Sequence, residues 1–470
     1  MENNSERSKI DRIKKRLKSI LSNSTVHAVP NITRTKNKLV IILWSIFLFF
    51  STGICSYFIL DSIFEYYEYN TNTKIETIFE SSSEFPEITV CNLNIFTTPY
   101  AFEFLNNLSR ENQIDIFNQS DDLASFKTMA RSALPILSFE KRSKMSFSSS
   151  EFIFKCSFNY IPCDVQNFTE IFDKYYGKCF KFNPVTQNFK TGLIYGLNLI
   201  LNVWFDESLD FFNENIGALI RINNPSFRRI NNSSFRSAES ELDVQLSVGH
   251  DTSILLDKRV EKRLKKPYSK CEYQEDSQDD YDSEFVKLLR EKGIRYSLKY
   301  CLSNCYQKYL ISLYNCTDAE EFSFYDNVHD CVSKKEVENI IGAYYTFIDT
   351  KYKECLSVCP IECDKNRIIA TQTSSKMFSV RNKTKLLRFF ENKNYTQLTP
   401  DIIRNSLVKL QINYDSFSYT KMSEFPSKNL VSVISDIGGI IGLFLGMSLL
   451  SLVEIFEILI EIISIAVNKI

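Results

Sequence analysis

Two apolar runs stand near the ends of the chain. Residues 39–60 are 22 consecutive uncharged residues, enough to cross a bilayer as a tilted helix. Residues 437–453, between Asp436 and Glu454, also carry no charge and as a continuous helix would cover roughly 25 Å. In this second run Gly438, Gly442 and Gly446 recur every fourth residue, with Gly439 beside them. That spacing makes a stripe free of side chains, along which a backbone or an ion can approach closely. Asp436 is expected to cap the outer end of this helix, and Glu454, Glu457 and Glu461 follow at helical spacing. A carboxylate at the membrane edge is costly unless it faces water, so this face reads as the lining of a cation pathway. The same residues are also compatible with a single-pass anchor that dimerises along a glycine seam.

The N-terminal 38 residues hold ten Lys and Arg against three acidic residues, which places that end in the cytoplasm. The first run begins too far along the chain, and is too long, for a cleaved signal core. The expected organisation is a cytoplasmic segment 1–38, a first transmembrane helix 39–61, an external domain 62–429, a second transmembrane segment 430–467 and a cytoplasmic end 468–470. Both termini then lie inside a plasma membrane that the chain crosses twice. In the external part, Phe85 to Asn94 reads as a strand after Pro86, while Asp282 to Tyr314 and Lys385 to Leu407 have helical periodicity. Tyr66, Tyr67 and Tyr69 cluster just past the first span, as an interfacial belt or a gating contact.

A net charge of −1 gives no reason to expect a nucleic-acid partner. Of thirteen cysteines, Cys55 lies in the first span and twelve fall in the external segment, which implies six disulfides in an oxidising compartment. Cys301-x3-Cys305 and Cys355-x3-Cys359-x3-Cys363 each line one side of an element. Two such rows, facing antiparallel, suggest a ladder pairing Cys301 with Cys359, Cys305 with Cys355, Cys271 with Cys363, and Cys316 with Cys331. Spacing alone does not settle connectivity, and the alternative is a zinc site, disfavoured by the lack of nearby His. Asn107, Asn118, Asn167, Asn231, Asn232, Asn315, Asn382 and Asn394 head glycosylation sequons in the external segment. Asn3, Asn23 and Asn31 match the same pattern inside, so the motif is weak. With three His and no H-E-x-x-H, G-x-S-x-G or phosphate-binding glycine loop, no catalytic residue, metal or cofactor is expected. A membrane-tethered receptor or adhesion protein is the competing class.

Phe85-Pro86 followed by Ile88-Thr-Val-Cys-Asn92 just beyond the first span, with Gly446-Met447-Ser448 inside the second, resembles the degenerin/epithelial (amiloride-sensitive) sodium channel family. The resemblance extends over nearly the whole chain. Gly177-Lys-Cys-Phe-Lys-Phe-Asn183 and Gly192-Leu-Ile-Tyr-Gly-Leu-Asn-Leu-Ile-Leu201 are similar to two family strands. Tyr300-Cys-Leu-Ser-Asn-Cys305 and Cys359-Pro-Ile-Glu-Cys363 resemble the thumb cysteine rows, and Arg263 to Cys271 resembles the wrist segment with its aromatic residue, here Tyr268. In build the chain is closest to the acid-sensing and neuropeptide-gated branches.

The resemblance implies an α+β membrane protein, with two transmembrane helices and a large disulfide-rich extracellular domain. That domain would comprise a palm sheet from strands near 85–95, 178–204 and 362–424, a β-ball, and helical finger, thumb and knuckle parts. It implies the same cysteine ladder and adds the pairs Cys91–Cys179 and Cys156–Cys163. Three chains, identical or related, would enclose the pore, with Gly446, Met447 and Ser448 as selectivity filter, where the helix would break into an extended belt. Asp436, Gly438, Gly439, Gly442, Glu454, Glu457 and Glu461 would line it, Gly442 would take amiloride, and Ser435 would be the degenerin position. Gating would involve His27, Ala28, the cluster Tyr66, Tyr67 and Tyr69, and Tyr268. The implied function is a ligand-gated, sodium-selective channel subunit, opened by an extracellular peptide. The alternatives are proton or mechanical gating, or a non-conducting receptor or accessory subunit. Two departures stand out. Met447 replaces a smaller residue, and Ala28 replaces the glycine of the family's His-Gly pair, so a turn needing positive φ there would be strained.

Overall fold

The computed structural model describes residues 27–460, apart from 115–121, 135–136, 174, 185–190, 193–194, 204–214, 224–241, 273–283, 292–295, 319–320, 322–323, 326, 378–404, 449, 452, 455 and 458–459, together with residues 18, 19 and 22. The chain divides into two compact units, one formed by residues 1–73 with 424–470 and the other by residues 74–423.

The terminal unit begins with a short helix α1 (Ala28–Arg34) and a 30-residue helix α2 (Lys38–Tyr67), whose start is capped by Asn37 accepting from the Leu39 amide at 3.1 Å. Helix α2 extends beyond the apolar run by nearly two turns. Leu39, Phe49, Phe50 and Phe64 are all exposed on it. A helix apolar on every side needs apolar surroundings, and among the described residues α2 is long and apolar enough to cross a membrane.

Strand β1 (Thr71–Phe79) runs from the terminal unit into the larger one, where β2 (Glu87–Asn92) is followed by helices α3 (Pro99–Asn112), α4 (Asp122–Ala133), α5 (Phe139–Ser143) and α6 (Ser149–Phe152). Strands β3 (Ile153–Phe158), β4 (Ile161–Cys163), β5 (Phe168–Asp173), β6 (Gly177–Phe182), β7 (Leu197–Asn202), β8 (Gly217–Asn223), β9 (Leu242–Ser247) and β10 (His250–Lys262) come next. Helices α7 (Glu284–Glu291) and α8 (Leu298–Tyr314), a short pair β11 (Thr317–Asp318) and β12 (Asp330–Cys331), and helices α9 (Lys334–Thr350) and α10 (Tyr352–Val358) precede β13 (Asp364–Lys376) and β14 (Leu407–Pro426). The helix expected over Asp282 to Tyr314 is thus two helices. The one expected over Lys385 to Leu407 lies almost wholly outside the described residues, which resume at 405 and enter β14 at Leu407.

One sheet has the order β13-β10-β14-β7-β3-β4 with β1 on β14, and the second has the order β5-β6-β2-β8-β9. The strands at 87–92 and 177–182 therefore do not join those at 197–202, 364–376 and 407–426 in one palm sheet, as the resemblance implied. Strand β2 is hydrogen-bonded by β6 on one edge and β8 on the other, so it has no free edge for the larger sheet. In β7 Leu197, Leu199 and Leu201 point inward while Asn198, Ile200 and Asn202 are half-buried, the alternation of a strand with one core face. A common core of Phe85, Phe158, Phe182, Leu199, Ile220 and Leu410 joins the two sheets. Pro86 leads into β2 just after Phe85, whose ring meets Phe158 edge-on at 5.0 Å.

Six disulfides are closed: Cys91–Cys179, Cys156–Cys163, Cys271–Cys363, Cys301–Cys359, Cys305–Cys355 and Cys316–Cys331. Two of them tie α8 to α10 and its C-cap, on successive turns. The neighbouring α9 starts in a capping box, where Ser333 Oγ accepts from the Glu336 amide and Glu336 Oε2 accepts from the Ser333 amide at 3.0 Å. The Ser333 hydroxyl first, then the Ser333 and Val332 amides, hold the Glu336 carboxyl down at about 2. A depressed folded pKa stabilises the fold above the ordinary carboxylate range, and this contribution is lost as pH falls from about 4.5 toward 2. Glu336→Gln should lower the thermal midpoint of the purified chain at pH 7, by about 1 kcal/mol in stability. Calorimetry should show the gap to wild type narrowing between pH 5 and pH 3, and a pH-independent gap would contradict the cause given.

Candidate functional site

The second apolar run enters helix α11 (Leu430–Leu445) through a capping box in which Asn429 Oδ1 accepts from the Ser432 amide at 2.7 Å. Asn429, not Asp436, caps this helix, and Asp436 sits in its second turn. The helix stops at Gly446, which is left-handed at φ +65°, and residues 446–448 are non-helical. Beyond it Leu450, Ser451, Val453, Glu454, Phe456, Glu457 and Ile460 are helical. The run is therefore broken at residues 446–448, where the resemblance implied a break in the helix. The break is bonded locally: the Ser448 amide donates to Ser451 Oγ, and the Ser451 amide to Ser448 O, each at 3.0 Å.

Gly446 is required twice over. Its conformation is one that L side chains adopt at a cost, and a Cβ there would lie 2.8–3.1 Å from Cγ, Cδ2 and Nδ1 of His27. His27 and Ala28, from the start of α1, share with Trp44, Phe47 and Ser51 of α2 and Gly442 to Gly446 a cavity of about 650 Å³. Ser51 Oγ closes the contact by donating to the Phe444 carbonyl at 2.5 Å, one of the orphan acceptors of a helix end. Ala28 begins α1 in right-handed helical geometry, so the strain foreseen for alanine at this position does not arise.

At the N-terminal end of α11, Lys428 Nζ donates to Asp436 Oδ2 and pairs with Glu65 Oε2 of α2, both at 2.9 Å, and reaches Ser62 Oγ at 3.2 Å. These bonds, to Asp436 first and Glu65 next, hold the lysine's pKa above its ordinary value. Neither Lys428 nor Glu65 stood out in the sequence. The available signal was a lysine eight residues, about two helical turns, before Asp436.

Gly438 and Gly439 face open space: apart from chain neighbours and the backbone of their own helix turns, no heavy atom among the described residues lies within 4 Å of a Cβ built on either, and Gly442 meets only Met447 O at 3.6 Å. Packing within this chain does not demand the glycine stripe. Ser435 is exposed, with its hydroxyl donating back to Val431 O. Tyr66, Tyr67 and Tyr69 form a three-ring cluster with centroids 5.4–6.4 Å apart, and Tyr69 is left-handed at φ 52°. Tyr268, in the other unit, is half-buried on a turn whose amide bonds to Lys265 O.

Among the sequons, Asn107 is exposed on α3, Asn315 is exposed and left-handed at the end of α8, and Asn167 is half-buried, accepting from the Asp164 amide. Asn118, Asn231, Asn232, Asn382, Asn394 and Glu461 lie outside the described residues. Cys316, His329 and Glu336 gather three ligand-type atoms within 4.8 Å, but Cys316 is oxidised to Cys331 and offers no thiolate.

The chain thus combines a disulfide-braced α+β unit with two apolar helices, the second broken at a glycine. Residues 20–458 match the family described as "Amiloride-sensitive sodium channel", and the chain belongs to that family. Members of this family are ion channels of the plasma membrane, not enzymes. The chain is 25% identical over 337 residues to epithelial sodium channel subunit beta-2 of Xenopus laevis, covering 70% of this chain and 50% of that one. It is 26% identical over 332 residues to the beta subunit of Rattus norvegicus, covering 69% and 50%. To acid-sensing ion channel 1C of Danio rerio it is 24% identical over 474 positions, covering 95% and 83%. The chain spans about half the length of the epithelial channel subunits it matches.

Proposed function

We propose that the chain is a pore-forming subunit of a trimeric, amiloride-sensitive, sodium-selective cation channel of the plasma membrane, with two spans, cytoplasmic termini and a large external unit. The observation that carries this reading is the break at Gly446, Met447 and Ser448, with His27 packed against it, in a chain of the sodium channel family. Non-helical backbone at membrane depth is tolerated where it lines water, and its carbonyls replace part of a cation's hydration shell. Two helices of one chain cannot enclose an aqueous path, whereas six can. Glu454, Glu457 and Glu461 then supply a cation-attracting inner mouth, and Gly442 the amiloride position.

Opening by an extracellular peptide is the gating mode preferred here, because the external segment holds just two His, His250 and His329. Proton or mechanical gating, or an accessory role, are the competing readings. Oocytes expressing the chain, alone and with related subunits, should pass inward sodium current under amidated-peptide pulses, and amiloride should block it. Current evoked by acid alone would select proton gating, and surface-expressed assemblies without current would select the accessory role.

Ser435 faces away from its own chain, so a large side chain there should keep neighbouring helices apart. Ser435→Trp is expected to raise resting current severalfold. Surface-labelled Ser435→Trp channels that stay closed at rest would misplace the gate.

A further inference from the structure

We infer that Lys428 is a positioning residue for the outer mouth of the pore, a clasp that holds the Asp436 carboxylate against α2 and offsets half the acidic charge gathered there. Its ammonium bridges the two helices, bonding Asp436 of α11 and Glu65 of α2 at 2.9 Å each. Ser62, buried on α2, accepts from the same ammonium and lies 3.5 Å from Asp436 Oδ2, so one cation, two carboxylates and a hydroxyl close a four-group knot. The lysine side chain is 19% exposed while the carboxylates are 45% and 43% exposed. The cation thus sits inside, and the carboxylates keep an open side toward water.

The consequence is electrostatic as well as mechanical. Glu65 and Asp436 bring two negative charges per chain and Lys428 returns one. Without the lysine the negative charge of these groups doubles, and Asp436 loses the bond that turns it toward α2 rather than toward the glycine face of α11. Exposed charge at a pore entrance raises local cation concentration, an effect that salt screens over about 10 Å at 0.1 M. Lys428 therefore lowers cation accumulation at the mouth and links its charge to the spacing of the two helices.

This inference rests on the channel reading, and the test separates the two. In the first arm, membranes holding the full chain are treated with a water-soluble carbodiimide. It activates a carboxylate, lets Lys428 Nζ form an amide with it, and leaves as the urea carrying the carboxylate oxygen. Peptide mass mapping should find Lys428 joined to Glu65 or Asp436. Failure to find either link in membranes where other lysine–carboxylate pairs are joined overturns the clasp.

In the second arm, single-channel conductance is compared at low and high salt. Lys428→Met should raise inward conductance roughly twofold at 10 mM ionic strength and little at 150 mM. Glu65→Lys/Lys428→Glu, which keeps both the net charge and the opposite-charge pairing, should return toward wild type. A conductance in Lys428→Met with unchanged salt dependence, or a swapped pair that behaves like Lys428→Met, overturns the positioning role. The amide link without current in any surface-expressed assembly supports the contact and counts against the channel reading alone.

Discussion

Gly446→Ala is expected to reduce amiloride-sensitive current by about tenfold or more at equal surface expression. A left-handed non-glycine residue costs about 1–2 kcal/mol. The added Cβ would also press on the His27 ring at 2.8 Å, closer than such contacts normally come. About 1.4 kcal/mol is a factor of ten in an equilibrium, so the backbone term alone is enough for a loss of that size. Gly446→Val should be worse, since a branched side chain cannot slip past the ring. Removing the ring in Gly446→Ala/His27→Ala should recover the steric share of the loss relative to Gly446→Ala, but not the backbone share. Reversal potentials should shift toward potassium in the Gly446 series and in Ser448→Val, because the break sets the carbonyl positions that a cation meets. Unchanged current and selectivity in Gly446→Ala, measured on assemblies proven to contain it, would remove residues 446–448 from the ion path.

Loss of either partner of the Cys301–Cys359 bond is expected to lower surface expression strongly, because an external disulfide contributes about 2–5 kcal/mol. This bond closes a 58-residue separation at the open end of α10, where Cys359 is the cap. Cys301→Ser/Cys359→Ser should be no worse than either single change, since one bond is lost only once. Surface biotinylation with thermal melts of the purified chain gives both readings. Strictly additive effects would mean that the cysteines act separately and not as a pair. Cys305–Cys355, one turn away, still tethers α8 to α10, so the expected outcome is a loosened helix pair rather than a lost one.

What the sequence determined by itself is what depends on neighbours along the chain. The uncharged run 39–60 marked the helix that became α2, because an apolar stretch of that length has few other stable environments. Gly446 inside the second run stood where the resemblance implied a break in the helix, and glycine enters the left-handed region there at little cost. The even number of cysteines between the two apolar runs and their four-residue spacing pointed to a braced domain, and Pro86 before Ile88-Thr-Val-Cys pointed to a strand. The tertiary structure decided everything that depends on distant partners. Whether β2 joined the larger sheet turned on both its edges being filled by β6 and β8, from residues far along the chain. Ala28 proved unstrained because α1 starts there in right-handed geometry, which the identity of the residue did not reveal. Asp436 looked like a cap by its place at the edge of an apolar run, but Asn429 took that role, and Asp436 found Lys428 and, from 374 residues away, Ser62. Periodicity records which face of an element is apolar; which charges meet across two packed helices depends on their axial register, and only the folded chain specifies it.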